Sequence, residues 1–368
     1  MKDVNLILMK DVKSKRNSNV ELLRIFSILL IVASHFAQHS GLISLSGKNK
    51  WLINIFLSLG QIGVAFFFLI TGYFFSKFEG KSRKEQILKI LYPVWFYSVL
   101  VLLFCLFRDR AFLGSFFNFM RLFFPFTTNS YWFIGTYIGI VLISPFLLKM
   151  LNSLNNSQIK ELLCLMFIFS SISPLLNFFL SSNYVSIFTI TYPLFYIFYG
   201  YAVSKMSIGF SKMTLPSLFF GILLLCSGPF IVELLKRGYT NVPSNLYQGL
   251  DSLPCVLITT SLFTALTKKI FFNLIVNKVA SLVFGVYIIH ENIYIREKIW
   301  LLFNPQNHIN NTFLDFIVFS LRSILFVFIV CLGAEFIRAT LIHIARKKFK
   351  LFMRTVKKVD IDFSIPSE

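Results

Sequence analysis

Apolar runs close to the length that crosses a bilayer recur along the whole chain, and no other sequence feature limits the fold as strongly. A hydrocarbon core of ~30 Å needs roughly 20 apolar residues in a helix. The mean hydropathy of +0.72 lies far outside the range of soluble domains. The sequence therefore predicts an all-α, polytopic membrane protein with about ten transmembrane helices, at 20–40, 52–76, 87–107, 131–151, 160–180, 186–204, 214–235, 250–267, 279–299 and 315–345.

The apolar runs leave no room for a separate soluble domain between them. We expect a basic cytoplasmic N-terminal segment at 1–19, one membrane domain at 20–345 and a basic cytoplasmic tail at 346–368. The first apolar run is long and lacks a small-residue cleavage site, so it predicts an uncleaved helix. The tail mixes basic and aromatic residues, which favours contact with the lipids of an anionic inner leaflet.

The net charge of +20 is explained by membrane topology. With the N-terminus in the cytoplasm, 24 Lys and Arg residues fall on the inner side and nine on the outer side. The positive-inside rule therefore predicts that both termini are cytoplasmic, which requires an even number of spans. These cations do not form one basic face with interleaved aromatics, so nucleic acid is not an expected partner. The five cysteines lie singly in different apolar runs and predict neither a disulfide nor a metal site.

Three ionisable residues in the first predicted helix point to function. Such a side chain costs about 2.5–3.5 kcal/mol at a helix centre by insertion scales. Arg24 and His35 are 11 residues apart, about three turns and roughly 16 Å, so they share one helix face. Glu21 can pair with Arg24. Arg24 could instead snorkel to inner headgroups, and His35 could simply tie two helices together.

Other polar groups divide by depth into an inner and an outer set. Arg83, Lys84 and Lys89 lie near Arg24 in depth and could bind phosphates or anchor the chain to anionic lipid. The outer set could bind a sugar, although its aromatic pair is also typical of an interfacial belt. It contains Tyr131, Trp132, Tyr287, His290 and Glu291. The division suits an anionic donor from the cytoplasm and a hydroxyl acceptor from outside.

Four stretches, in order, resemble the acyltransferase-3 family of integral membrane acyltransferases, which acetylate bacterial cell-surface glycans. "ELLRIFSILLIVASH" matches the family's pattern of Arg, ten residues and His, at Arg24 and His35. "GVAFFFLITGYFFS" is similar to its aromatic-rich second helix, with Thr71 and Gly72. "SYWFIGTYIGIVLISP" resembles the aromatic pair that opens its fourth helix, and "SLVFGVYIIHENIY" its late Gly, aromatic, His signature.

The resemblance implies an O-acetyltransferase in a bacterial cytoplasmic membrane. It implies acetyl-CoA as donor, without a metal, and a cell-surface glycan or lipid-linked sugar as acceptor. His35 would be catalytic, as a base for the hydroxyl or as the carrier of the acetyl group. Arg24 would orient the donor or hold the first helix by pairing with Glu21, and His290 with Glu291 would position the acceptor or assist proton transfer. The role is compatible with an association with polysaccharide assembly proteins.

Two expectations are open at this stage. The family carries an arginine pair at the start of its third helix, whereas this chain has Arg83 with Lys84 and Lys89, and lysine lacks the bidentate guanidinium fork. The competing class is a glycan transporter or flippase without acyl-transfer activity. That class predicts charges spread over many helices, but the spans from 160 to 267 are nearly free of charge.

Overall fold

Helices are the only regular structure in the described part of the chain. The computed structural model describes residues 17–125, 131–172, 191–206, 212–239, 242, 245–268 and 270–362. Its main helices are α1 (Ser18–His39), α2 (Lys50–Tyr73), α3 (Arg83–Arg108), α4 (Trp132–Ser153), α5 (Asn156–Phe167), α6 (Thr191–Met206), α7 (Thr214–Leu235), α8 (Leu253–Thr267), α9 (Leu274–Ala280), α10 (Val283–His290) and α11 (Phe313–Asp362). The all-α prediction is therefore confirmed for these residues.

Seven helices of the described chain are long and apolar enough to cross a membrane. They are Ser18–His39, Lys50–Tyr73, Arg83–Arg108, Trp132–Ser153, Thr214–Leu235, Leu246–Thr267 and Phe313–Phe349. Each overlaps a predicted span. The predicted spans at 160–180 and 186–204 lie partly outside the described residues. The count of ten therefore remains a prediction, as does the placement of both termini in the cytoplasm.

The predicted helix at 279–299 is wrong as a single element. The chain instead forms α9, a turn at 281–282 and then α10, which ends at His290. Beyond it, the backbone N–H of Tyr294 donates to Asn292 Oδ1, and the backbone N–H of Ile295 donates to the Asn292 carbonyl. Asparagine favours such local bonds over a helix interior. Upstream, the Asn273 side chain accepts from the N–H groups of Ile275 and Val276 and so starts α9 before 279.

Helices α1 and α2 pack closely along their length and form the centre of the fold. Small residues allow this approach: a Cβ at Gly60 would lie 2.5 Å from Ser34 Oγ, and one at Gly63 would lie 2.5 Å from the Ser27 carbonyl oxygen. Close approach matters because association of helices in lipid depends on van der Waals packing rather than on burial from water. The α1–α2 pair therefore fixes the position of the His35 backbone.

The helix ends meet in pairs, which gives the bundle two distinct ends. At the end where α1 begins, Ser18 Oγ donates to Asn277 Oδ1 of α9 at 2.9 Å. At the other end, where α2 begins, Asn49 Nδ2 donates to the carbonyls of Ile309 and Asn311, just before α11. We call these the α1-start end and the α2-start end.

Large apolar side chains cover the outside of the bundle. Phe107, Phe146, Phe219 and Ile337 are each at least 60% exposed, as expected for residues that face lipid. The short helix Phe116–Phe123 presents Phe116 and Phe117 outward. Its eight residues are too few to span a bilayer. Helix α11 continues unbroken to Asp362, so the predicted boundary between membrane domain and tail lies within a helix.

Candidate active site

His35, His290 and Glu291 lie together, although more than 250 residues separate His35 from the other two. His35 Nδ1 is 2.9 Å from His290 Nε2 and 3.0 Å from Glu291 Oε2. His290 is fully buried and Glu291 is 8% exposed. Helix α10 packs against α1 and carries this pair to His35. The structure thus brings together three of the predicted site residues, for which the sequence indicated a comparable depth.

The hydrogen-bond partners assign the histidine tautomers. His290 Nδ1 is 2.6 Å from the carbonyl oxygen of Val286, which can only accept, so Nδ1 carries the proton and Nε2 of the neutral ring accepts. Both neighbours of His35 Nδ1 are then acceptors, so this nitrogen is the donor. The lone pair of neutral His35 is therefore on Nε2.

A second layer of charge holds Glu291 in place. His39 Nε2 is 3.2 Å from Glu291 Oε2, and Arg296 Nη1 is 3.6 Å from Glu291 Oε1. Since α1 supplies His39 one turn after His35, both histidines of this helix contact the same carboxylate. Glu291 is thereby fixed against His35 Nδ1, where its negative charge favours a positive imidazole.

A cavity of about 490 Å³ lies beside this cluster, between α1, α2, α3, α4 and α10. Its lining is mostly apolar, and His35 is part of it. Because Nδ1 is engaged with His290 and Glu291, Nε2 is the nitrogen of His35 that remains for a ligand in the cavity. Trp132 and Tyr287 also line it, as expected for ligand contacts.

Tyr131 has a different position from the one expected. Its side chain is 1% exposed, and its hydroxyl donates to the Ile288 carbonyl at 2.8 Å. Its ring packs against Tyr287 with the centroids 5.8 Å apart. Tyr131 therefore holds α10 against the start of α4 and is not among the residues that line the cavity.

The predicted cationic set is only partly brought together. Arg24 and Lys89 both line the cavity, toward the α1-start end. Arg24 Nη1 donates to Glu21 Oε2 at 2.6 Å, and Glu21 is 2% exposed. Arg83 and Lys84 are exposed and do not line the cavity; Arg83 Nη1 contacts the Leu142 carbonyl at 3.5 Å. Lys89, rather than Arg83, therefore accompanies Arg24.

The ligand atoms of the histidine cluster are close enough together to hold a metal ion. One ligand atom from each of His35, His290 and Glu291 lies within 4.8 Å of the others. The donor and acceptor pattern described above accounts for this convergence by hydrogen bonds alone, so the arrangement does not require an ion.

Several polar residues of the described spans escaped sequence reasoning. Gln38 and Gln61 line the cavity. In α11, Arg338 forms a bidentate pair with Glu335, with N···O distances of 2.7 and 2.5 Å, and Glu335 Oε2 accepts from Tyr97 at 2.8 Å. Glutamate and arginine within the apolar run at 315–345 were the signal that could have identified this pair.

The fold and the cluster define an integral membrane protein whose histidine, backed by a carboxylate, faces a cavity between helices. The chain belongs to the acyltransferase-3 family: the family model, described as an acyltransferase domain, matches residues 17–332. The match spans all four stretches that resemble the family. The protein is thus a multi-pass membrane acyltransferase. No curated protein and no solved structure shows significant similarity to the chain.

Proposed function

We propose that the protein is a membrane O-acetyltransferase that moves an acetyl group from cytoplasmic acetyl-CoA to a hydroxyl of a cell-envelope glycan. The glycan is a capsule, an exopolysaccharide, an O-antigen or a lipid-linked precursor. The protein resides in the cytoplasmic membrane of a bacterium, with both termini inside, and the excess of Lys and Arg in the loops that this orientation places inside supports it.

The proposal rests on one observation: a single cavity is lined by a base, His35, and, nearer the α1-start end, by the cations Arg24 and Lys89. Nε2 is the ring nitrogen of His35 that His290 and Glu291 do not engage. Along α1, Arg24 and His35 are about 16 Å apart. CoA presents phosphates that Arg24 and Lys89 can hold, and its long, narrow pantetheine arm suits the mostly apolar stretch between them.

The transfer balances without a further reactant. His35 Nε2 takes the proton of the acceptor hydroxyl as its oxygen attacks the thioester carbonyl, and the C–S bond breaks. The imidazolium, stabilised through Nδ1 by Glu291, then returns the proton to the CoA thiolate. In the alternative order, Nε2 attacks the thioester first and the C–S bond breaks, releasing the CoA thiolate. The acceptor hydroxyl then attacks the acetyl group, the N–C bond breaks and the hydroxyl proton goes to the thiolate. Acetyl-CoA is the donor substrate in both orders, and neither order uses a metal.

The partners of this reaction are the glycan acceptor and membrane lipids, and an association with polysaccharide assembly proteins would bring the acceptor to the cavity. Nucleic acid has no role in it.

The test uses purified protein in proteoliposomes with radiolabelled acetyl-CoA and extracted envelope glycan. We expect His35→Gln to lower acetyl transfer by about 100-fold or more, because the base or nucleophile is lost. The matched control is His343→Gln, an exposed histidine of α11, which should retain wild-type activity. Acetylation that persists in His35→Gln would contradict the catalytic role. Wild-type protein that releases no CoA thiol with any glycan, yet moves glycan across the bilayer, would favour the transporter.

A further inference from the structure

Two carboxamides lie in membrane-spanning helices and line the same cavity as His35. Gln38 follows His35 by one turn on α1. Gln61 follows Gly60 on α2, and Gly60 touches Ser34, the neighbour of His35. All three polar side chains therefore gather at one level. Neither amide has a hydrogen bond to another residue in the part of the chain that the structure describes.

We infer that Gln38 and Gln61 form a binding subsite for an uncharged sugar, which holds the acceptor beside His35 Nε2. This inference rests on the proposed function and identifies the class of acceptor. Gln38 is exposed in the last turn of α1 and Gln61 is partly buried in α2, so both amides are open to a polar ligand in the cavity. A carboxamide both donates and accepts, which matches neighbouring sugar hydroxyls.

The position of the amides separates them from the donor. Gln38 lies 14 residues beyond Arg24, about 21 Å along α1, and His35 lies between the two. With the phosphates of the donor at Arg24 and its thioester at His35, the space beyond His35 belongs to the acceptor. The formal charges among the lining residues are those of Arg24 and Lys89, both at the donor end. A sugar carboxylate beyond His35 would thus find no cation among the lining residues there.

The experiment measures binding of methyl glycosides to the CoA-loaded protein in detergent by titration calorimetry. The probes are neutral glucosides, galactosides and N-acetylglucosaminides, with a glucuronide for comparison. The variants are Gln38→Leu and Gln61→Leu, which keep volume and remove the amide. The control is Gln306→Leu, an exposed glutamine that does not line the cavity.

We expect at least one neutral glycoside to bind and each cavity variant to weaken it tenfold or more. CoA affinity should stay within twofold, and Gln306→Leu should behave as the wild type. The inference is overturned if no neutral glycoside binds, if the glucuronide binds more tightly, or if the variants lose CoA affinity equally. Wild-type protein that binds the glycoside but transfers no acetyl group would refute the proposed function alone. Acetyl transfer with an unchanged acceptor KM in both variants would refute the subsite alone.

Discussion

Gly285→Ala should disturb the site from the opposite face of α10. A Cβ at this position would lie 2.3 Å from Cδ and Cγ of Glu335 on α11. Glu335 cannot simply turn away, because Tyr97 and Arg338 hold its carboxylate by three hydrogen bonds. Helix α10 must therefore move, and it carries His290 five residues further along.

The expected cost is about 2 kcal/mol, the middle of the range for overpacking a filled interior. Gly333→Ala is the matched control, since its Cβ would meet nothing within 4 Å. Both changes gain the same helix propensity, so their difference isolates the overlap. We expect Gly285→Ala to have the lower melting temperature. Its kcat for acetyl transfer should fall about 10- to 100-fold, because small displacements of reacting groups are costly.

A second variant tests the cause. Glu335→Ala, combined with Gly285→Ala, removes the Cγ and Cδ atoms that the new methyl group would meet and should restore part of the lost activity. Equal melting temperatures and equal kcat for Gly285→Ala and Gly333→Ala would refute the reasoning, and so would a double variant with no recovery.

Three other perturbations follow from the described contacts. Glu291→Gln should lower kcat by about 100-fold with little change in the KM for acetyl-CoA, because it removes the negative charge beside His35 Nδ1. Steady-state kinetics checks this, and a change in KM alone would contradict it. Arg24→Lys should raise the KM for acetyl-CoA about tenfold and leave kcat nearly unchanged, because the positive charge remains but the guanidinium fork is lost. Full activity of this variant would indicate that Arg24 only snorkels to the inner headgroups. Hydrogen bonds from Lys298 and Tyr294 hold the pKa of the Asp109 carboxyl below its ordinary value, so the stability it provides is present at neutral pH and is lost as pH falls below about 4. The melting temperature of Asp109→Asn should therefore lie below that of the wild type at pH 7, and the gap should narrow as the pH falls below about 4; a constant gap would contradict the assignment.

The depth of each polar residue in the membrane was the property that the sequence predicted best. The interval from Arg24 to His35 and the outward direction of the late apolar run were enough to place His290 and Glu291 level with His35. Their hydrogen bonds could not be foreseen, because they depend on how α10 is rotated, and Gly285 against Glu335 sets that rotation.

Sequence reasoning failed where a residue's helix face mattered more than its depth. Lys84 and Lys89 are equally cationic, but only Lys89 lies on the side of α3 that faces the cavity. Tyr131 was grouped with ligand-binding aromatics, although its hydroxyl is used by the backbone of α10. Gln38 and Gln61 were missed because an amide carries no charge and barely lowers the hydropathy of a long apolar run.

The hydrogen bond between His290 Nδ1 and the Val286 carbonyl has a consequence for energy coupling. A peptide carbonyl accepts a hydrogen bond but does not take up the proton. The hydrogen-bonded chain from His35 through His290 therefore ends at the Val286 carbonyl and cannot pass a proton further. In the proposed reaction, a proton collected by His35 has no conducting path through His290 and leaves with the thiol of CoA. Each acetyl group that crosses from the cytoplasmic donor to the outer acceptor would then be exchanged for the proton of the acceptor hydroxyl, which ends on the cytoplasmic thiol, so no free proton and no net charge would cross the membrane. Turnover would draw only on the thioester and would continue in membranes whose proton-motive force has been collapsed.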